Sequence, residues 1–160
     1  MKYKEFLRIA GLLNQKFGIT PLLFGSLGLE QRLRKSLNAD DIDVLIPERI
    51  LQDEWDRLAR LMAEEGYALI DIHEHEFQKA DFKIAFAVLE GLTPFAGIDL
   101  RNIPVMTDDG SRFLLLELPD YLKVYEASLQ DGYRIHVKNK QDQKKIDLIR
   151  EALADANPRS

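Results

Sequence analysis

Asp41 and Asp43 lie in the segment Asp41-Ile42-Asp43-Val44-Leu45-Ile46, fourteen residues beyond Leu23-Phe24-Gly25-Ser26. In a strand, side chains two apart point the same way, so the two carboxylates would stand side by side. Adjacent carboxylates repel, and a divalent cation relieves the repulsion. Mg²⁺ in particular favours a few carboxylate oxygens completed by substrate phosphates. The Gly25-Ser26 turn offers the complementary group: free backbone N–H groups at a helix start, a hydroxyl, and no bulky side chain. Alone, either aspartate passes for an ordinary strand-edge acid. Read from the residues alone, the turn suits a phosphate and the acid pair suits a cation.

The segment Leu23-Phe24-Gly25-Ser26-Leu27-Gly28-Leu29-Glu30 … Asp40-Asp41-Ile42-Asp43-Val44-Leu45 resembles the nucleotidyltransferase superfamily that includes DNA polymerase beta. Within it, the pattern looks most like the lincosamide and aminoglycoside adenylyltransferases, where a second glycine and an apolar residue also follow the turn. The resemblance covers roughly residues 20–47. It implies Mg²⁺-dependent transfer of a nucleoside monophosphate from an NTP to a hydroxyl of an unidentified small-molecule or protein acceptor. Asp41 and Asp43 would be the metal-binding and catalytic carboxylates, and Gly25 and Ser26 would hold the β and γ phosphates. Relatives carry a third acid on a later strand as metal ligand and general base. The matching position falls near Ala85, with Glu76, Asp81, Glu90 and Asp99 nearby. Glu76 and Asp99 are put forward equally. Lys123 resembles the lysine that relatives place near the phosphates from a C-terminal helix. Without a clean third acid, the rival reading is a catalytically inactive nucleotide sensor or toxin–antitoxin component of the same fold.

The elements that must position these groups follow from periodicity. Phe6, Ile9, Ala10, Leu13 and Phe17 mark a helix closed by Gly18, and Pro21–Phe24 reads as a short buried strand. A helix over Leu27–Leu33 and a polar loop lead to the Asp41–Ile46 strand, which Pro47 stops. Leu51, Trp55, Leu58 and Met62 line a helix ended by Gly66, with Trp55 read as core. Tyr67 to Phe77 alternates like one strand, and Asp81–Leu89 is another. On the first of these, His73 and His75 would share a face; a solvated edge is favoured over a metal pair. Residues 91–104 read as a loop and Val105–Leu116 as a hairpin around Asp108-Asp109-Gly110. Pro119 opens a helix with Leu122, Tyr125 and Leu129 inward, and Ile146, Ile149 and Leu153 mark the last helix. Arg134, His136, Lys138, Lys140, Lys144 and Lys145 form a basic run, read as a solvated face with a triphosphate clamp as alternative.

The expected architecture is α/β (α+β): a small mixed β-sheet flanked by helices, nucleotidyltransferase-like, with short C-terminal helices. One domain over residues 1–156 and a frayed tail at 157–160 suit 160 residues that are 46% hydrophobic. A net charge of −5 argues against a nucleic-acid partner. The absence of cysteine fits a cytoplasmic protein, and no apolar run is long enough to span a membrane. With room for two helices after residue 118, the acceptor site would be shallow or completed by a second subunit of a homodimer.

Overall fold

Helix α1 (Lys2–Phe17) is amphipathic, and Gly18 closes it with φ +64°, donating its N–H to the Leu13 carbonyl. It leads through β1 (Leu22–Phe24) into α2 (Gly25–Leu33) and β2 (Ile42–Ile46). Then come α3 (Glu48–Asp53), α4 (Trp55–Glu64), β3 (Ala68–Asp71), β4 (Glu76–Lys79) and β5 (Phe82–Val88). The chain continues through α5 (Leu92–Ala96), β6 (Val105–Asp108), β7 (Ser111–Leu114), α6 (Leu118–Gln130) and α7 (Asn139–Ala156). This computed structural model describes residues 1–130 and 139–156. Arg134, His136, Lys138, the side chain of Lys140 and the tail 157–160 lie outside the described residues.

The strands form one seven-stranded mixed sheet in the order β3-β4-β5-β2-β1-β7-β6. β2 runs parallel to β5 and β1 parallel to β7; the other neighbours are antiparallel. Alternation along the strands sorts the two faces. Ile42, Val44, Ile46, Phe77, Ile84 and Phe86 are buried on one face. The rings of Phe6 on Phe113 and Trp55 on Phe77 join α1 and α4 to the sheet. The other face carries Phe24, Asp43, Ala85 and Glu76 along one row across four strands. No helix among the described residues is long and apolar enough to cross a membrane.

Four expectations need correction. The Tyr67–Phe77 alternation is a hairpin, β3 and β4, not one strand. The Asp71 carboxylate accepts the N–H groups of His73 and Glu74 at 2.9 and 3.2 Å and folds the chain back. His73 and His75 therefore sit in the turn, and Leu69, Ile70 and Ile72 are exposed. The helix expected around Leu51–Met62 is two helices, interrupted at Glu54, whose φ of −125° leaves helical geometry. Residues 91–104 are not a plain loop: they hold α5 and a single 3₁₀ turn at Leu100–Asn102, and a second 3₁₀ turn at Leu89–Gly91 leads into them. Finally, α6 is rotated from its expected face, burying Tyr121, Val124, Tyr125 and Ser128 while Leu122 and Leu129 stay half-buried.

Gly28 explains that rotation. A Cβ at Gly28 would collide with the Tyr121 hydroxyl and the Leu23 carbonyl oxygen. The fully buried Tyr121 uses that gap to donate to the Leu23 carbonyl at 3.3 Å and stacks on Phe24 with ring centroids 6.5 Å apart. In an exposed helix interior, glycine to alanine gains roughly 1 kcal/mol. Here Gly28→Ala should instead cost about 1–3 kcal/mol through overpacking, lowering the thermal midpoint by roughly 3–10 °C in a melting experiment.

An ionic cluster around the buried Glu5 ties α1 to the strands beside it. The Glu5 carboxylate accepts from Arg8 at 2.8 Å and the Tyr67 hydroxyl at 2.5 Å, with the Lys79 ammonium at 3.4 Å. Burial pushes the Glu5 pKa up, but bonds from Arg8 and Tyr67 and the charges of Arg8 and Lys79 outweigh it and hold it below the ordinary value. A depressed carboxyl pKa contributes stability above the unfolded value of about 4.3, lost as pH falls through the folded value. Thermal midpoints measured from pH 7 down to pH ~2.5 should therefore fall more steeply for the native chain than for Glu5→Gln.

Candidate active site

β1 ends at Phe24, which pairs with Asp43 of β2, and the next residue starts α2. Gly25 makes this junction with φ +64°, a conformation open to glycine at little cost. It also stands so close to β2 that an added Cβ would overlap the Asp43 carboxylate. The first turn of α2 holds no acidic residue and no side-chain cap. A helix start of this kind presents N–H groups and partial positive charge to whatever lies in front of it. In front of it is a cleft of about 660 Å³ lined by Gly25, Ser26, Asp41 and Asp43. Asp41 stands one residue before β2 and shares the Asp43 side of the strand. It makes no ion pair or side-chain hydrogen bond among the described residues.

The far wall is β5 and β4. Asp43 is in register with Ala85, and Ala85 with Glu76, so all three share one face and one row. Ala85 thus occupies the neighbouring-strand position where a third carboxylate would meet Asp43. Glu76 lies one strand further out, about 10 Å from Asp43 backbone to backbone. It lines the cleft but is paired with Lys83, Nζ to Oε2 at 3.2 Å. The bond to Glu76, then the charge of Asp41, hold the Lys83 ammonium above its ordinary pKa, with smaller help from Asp43.

The other candidates lie apart. Asp99 is outside the cleft, accepting from the Arg101 N–H at 3.0 Å and pairing with its guanidinium at 3.1 Å. That bond and the Arg101 charge hold its carboxyl below the ordinary range. Lys123 points along α6 toward Asp120, 3.9 Å away, and does not line the cleft. Lys145 of α7 does, with its ammonium 5.2 Å from the centre of the Tyr125 ring. From sequence it was only one member of the basic run. At the back, the Ser128 hydroxyl donates to Asp142 at 2.7 Å and fastens α6 to α7.

Lys83 escaped the sequence reading, because its pairing with Glu76 appears only once the β4/β5 register is known. The cleft's charge is lopsided: six acidic residues line it against Lys145 alone among the described residues. No group of three His, Cys, Asp or Glu side chains able to hold a metal occurs among the described residues. The donor set is therefore two carboxylates. That fits a cation shared with phosphate oxygens and water and does not fit a closed protein cage.

No protein-family model matches the chain. A nucleotidyltransferase-like protein from Paracoccidioides brasiliensis superposes with a TM-score of 0.59 at 13% identity, covering 92% of this chain and 75% of that one. The aminoglycoside-modifying protein ANT(2")-Ia, solved in complex with adenylyl-2"-tobramycin, superposes with a TM-score of 0.59 at 10% identity, covering 98% of this chain and 92% of that one. The sheet and its flanking helices thus form a nucleotidyltransferase-like fold. The uncharacterized protein YnaI of Bacillus subtilis is 43% identical over 151 residues, 94% of this chain and 97% of its own length.

The Gly25–Asp43 contact makes a prediction that needs no ligand. Gly25→Ala should destabilise, both by its left-handed φ and by collision with the carboxylate. Combining it with Asp43→Ala should recover part of the loss. Denaturant unfolding of the two single variants and the double should give a coupling of about 0.5–3 kcal/mol; strict additivity would separate the two residues.

Proposed function

We propose, on the premise that the chain belongs to the family of Bacillus subtilis YnaI and has a nucleotidyltransferase-like fold, that it transfers a nucleoside monophosphate from an NTP to an acceptor hydroxyl in the cytoplasm. The observation that carries this reading is the approach of Gly25 to Asp43, which brings an uncapped helix start and an aspartate pair to one cleft. The N–H groups of Gly25 and Ser26 and the Ser26 hydroxyl would hold the terminal phosphates. Asp41 and Asp43 would hold Mg²⁺, which when bound neutralises phosphate charge as pyrophosphate leaves. Glu76 is the carboxylate placed to take the acceptor proton, provided Lys83 releases it or keeps it aimed into the cleft. The acid-rich lining favours an acceptor with positive charge. ANT(2")-Ia was solved with adenylyl-2"-tobramycin, which favours a small-molecule acceptor here; a protein acceptor is the alternative the assay distinguishes.

Ala85 favours one competing reading, a nucleotide sensor without turnover, because it removes the carboxylate nearest Asp43. One experiment separates the two. NTP with Mg²⁺ at about 100 times its Kd should raise the thermal midpoint by roughly 5–10 °C. Pyrophosphate release should accompany that shift for a transferase and be missing for a sensor. Asp43→Ala should abolish the shift and reduce pyrophosphate release by at least about a hundredfold. An Asp43→Ala chain that binds NTP as tightly as the native one would remove the metal role.

A further inference from the structure

Lys83 is the one cationic side chain that the sheet itself directs toward the aspartate pair. Ile42 is in register with Ile84 on the parallel strands β2 and β5, so the preceding residues, Asp41 and Lys83, are the next neighbours along. Lys83 and Ala85 are two apart on β5 and share the face of Asp43 and Glu76. The Lys83–Glu76 pair, 3.2 Å long, runs diagonally between adjacent strands past the small Ala85 side chain. Among the described residues, Asp41, Asp43 and Glu76 thus share one side of the sheet with the Lys83 ammonium, which is tethered to Glu76.

We propose that Lys83 is a positioning residue that acts as a built-in cation beside the aspartate pair, outside the cleft lining itself, holding Glu76 in place and weakening divalent-ion binding until a nucleotide arrives. The inference rests on the nucleotidyltransferase reading for its purpose, not for its geometry. Asp41 and Asp43, side by side, attract a divalent ion. An ammonium beside them removes one negative charge from the set and repels the incoming ion, while Ala85 withholds the carboxylate that would restore it. A triphosphate changes the balance by supplying its own oxygens, so the ion enters with the nucleotide. At separations of one to two strand spacings, and at an effective dielectric between that of water and that of a protein surface, one unit charge alters divalent-ion affinity by about tenfold.

The test uses Mn²⁺ alone, titrated into the full chain and followed by the loss of the free-ion signal in electron paramagnetic resonance. Lys83→Met, which keeps the stem and drops the charge, should bind Mn²⁺ about tenfold more tightly than the native chain. Lys83→Arg should restore native affinity, and adding Asp43→Asn to Lys83→Met should remove the gain. A merely structural lysine would move the melting temperature without this pattern. Equal Mn²⁺ affinity in the native and Lys83→Met chains, no measurable binding in either, or tight binding by Lys83→Arg would each overturn the proposal. Should Lys83→Met fail to fold, Glu76→Gln carries the test. It frees Lys83 toward the aspartates, so Mn²⁺ should bind less tightly than to the native chain, and affinity equal to or above native would overturn the proposal. No nucleotide enters this titration, so its failure leaves the pyrophosphate assay intact, and a failed pyrophosphate assay leaves the titration intact.

Discussion

The approach of the Gly25 backbone to the Asp43 carboxylate is the constraint on which the site depends. Two features enforce it. The antiparallel register of β1 and β2 sets Phe24 opposite Asp43, so the residue after Phe24 must turn beside that carboxylate. The turn needs φ +64°, and the space left by the carboxylate is too small for a methyl group. A residue without a side chain satisfies both conditions, and α2 then begins with its N–H groups at the mouth of the cleft. Distance between turn and acid is thus set by sheet hydrogen bonds, which are far stiffer than any loop.

The same end of the sheet is fixed a second time, from above. Tyr121 reaches past Gly28 to the Leu23 carbonyl and lays its ring on Phe24. It then stacks on Tyr125, whose ring lies beneath the Lys145 ammonium at the cleft. Two glycines three residues apart therefore serve two different close approaches. Gly25 admits a carboxylate, and Gly28 admits a tyrosine hydroxyl that sets the rotation of α6. The glycines are local, but the contacts they permit join β1, β2, α2 and α6, which is why a short segment can define a site.

The turn and the acidic strand were legible because their information is local. Gly25-Ser26 and the alternation at Asp41-Ile42-Asp43 need only a turn and a strand to become geometry. The Asp109-Gly110 turn was legible for the same reason, with φ values of +49° and +78° in a two-residue hairpin. What stayed hidden depends on partners distant in sequence. The alternating Ala68, Ile70 and Ile72 imitate a buried strand face, yet Asp71 folds the chain at that point and Ile70 and Ile72 stay exposed. On α6, Tyr121 and Leu122 are both plausible inward residues, and the choice is made by a gap at Gly28 on another helix. Nothing in the sequence singles out Lys83; the β4/β5 register alone sets it diagonal to Glu76.

The cleft's charge gives these placements a common logic. Among the described residues, six acidic side chains around about 660 Å³ oppose an unaccompanied triphosphate, against Lys145 and the partial charges of the helix start. Under the proposed reaction, a nucleotide arriving with a divalent ion would be less negative and would bring a counter-charge for Asp41 and Asp43. Among the described residues, Lys83 is engaged by Glu76, and the Lys145 ammonium lies over the Tyr125 ring. The field that excludes the bare anion attracts any cationic group of an acceptor. Both halves of the proposed reaction would then be sorted by one electrostatic feature, with Gly25 and Asp43 marking where they meet.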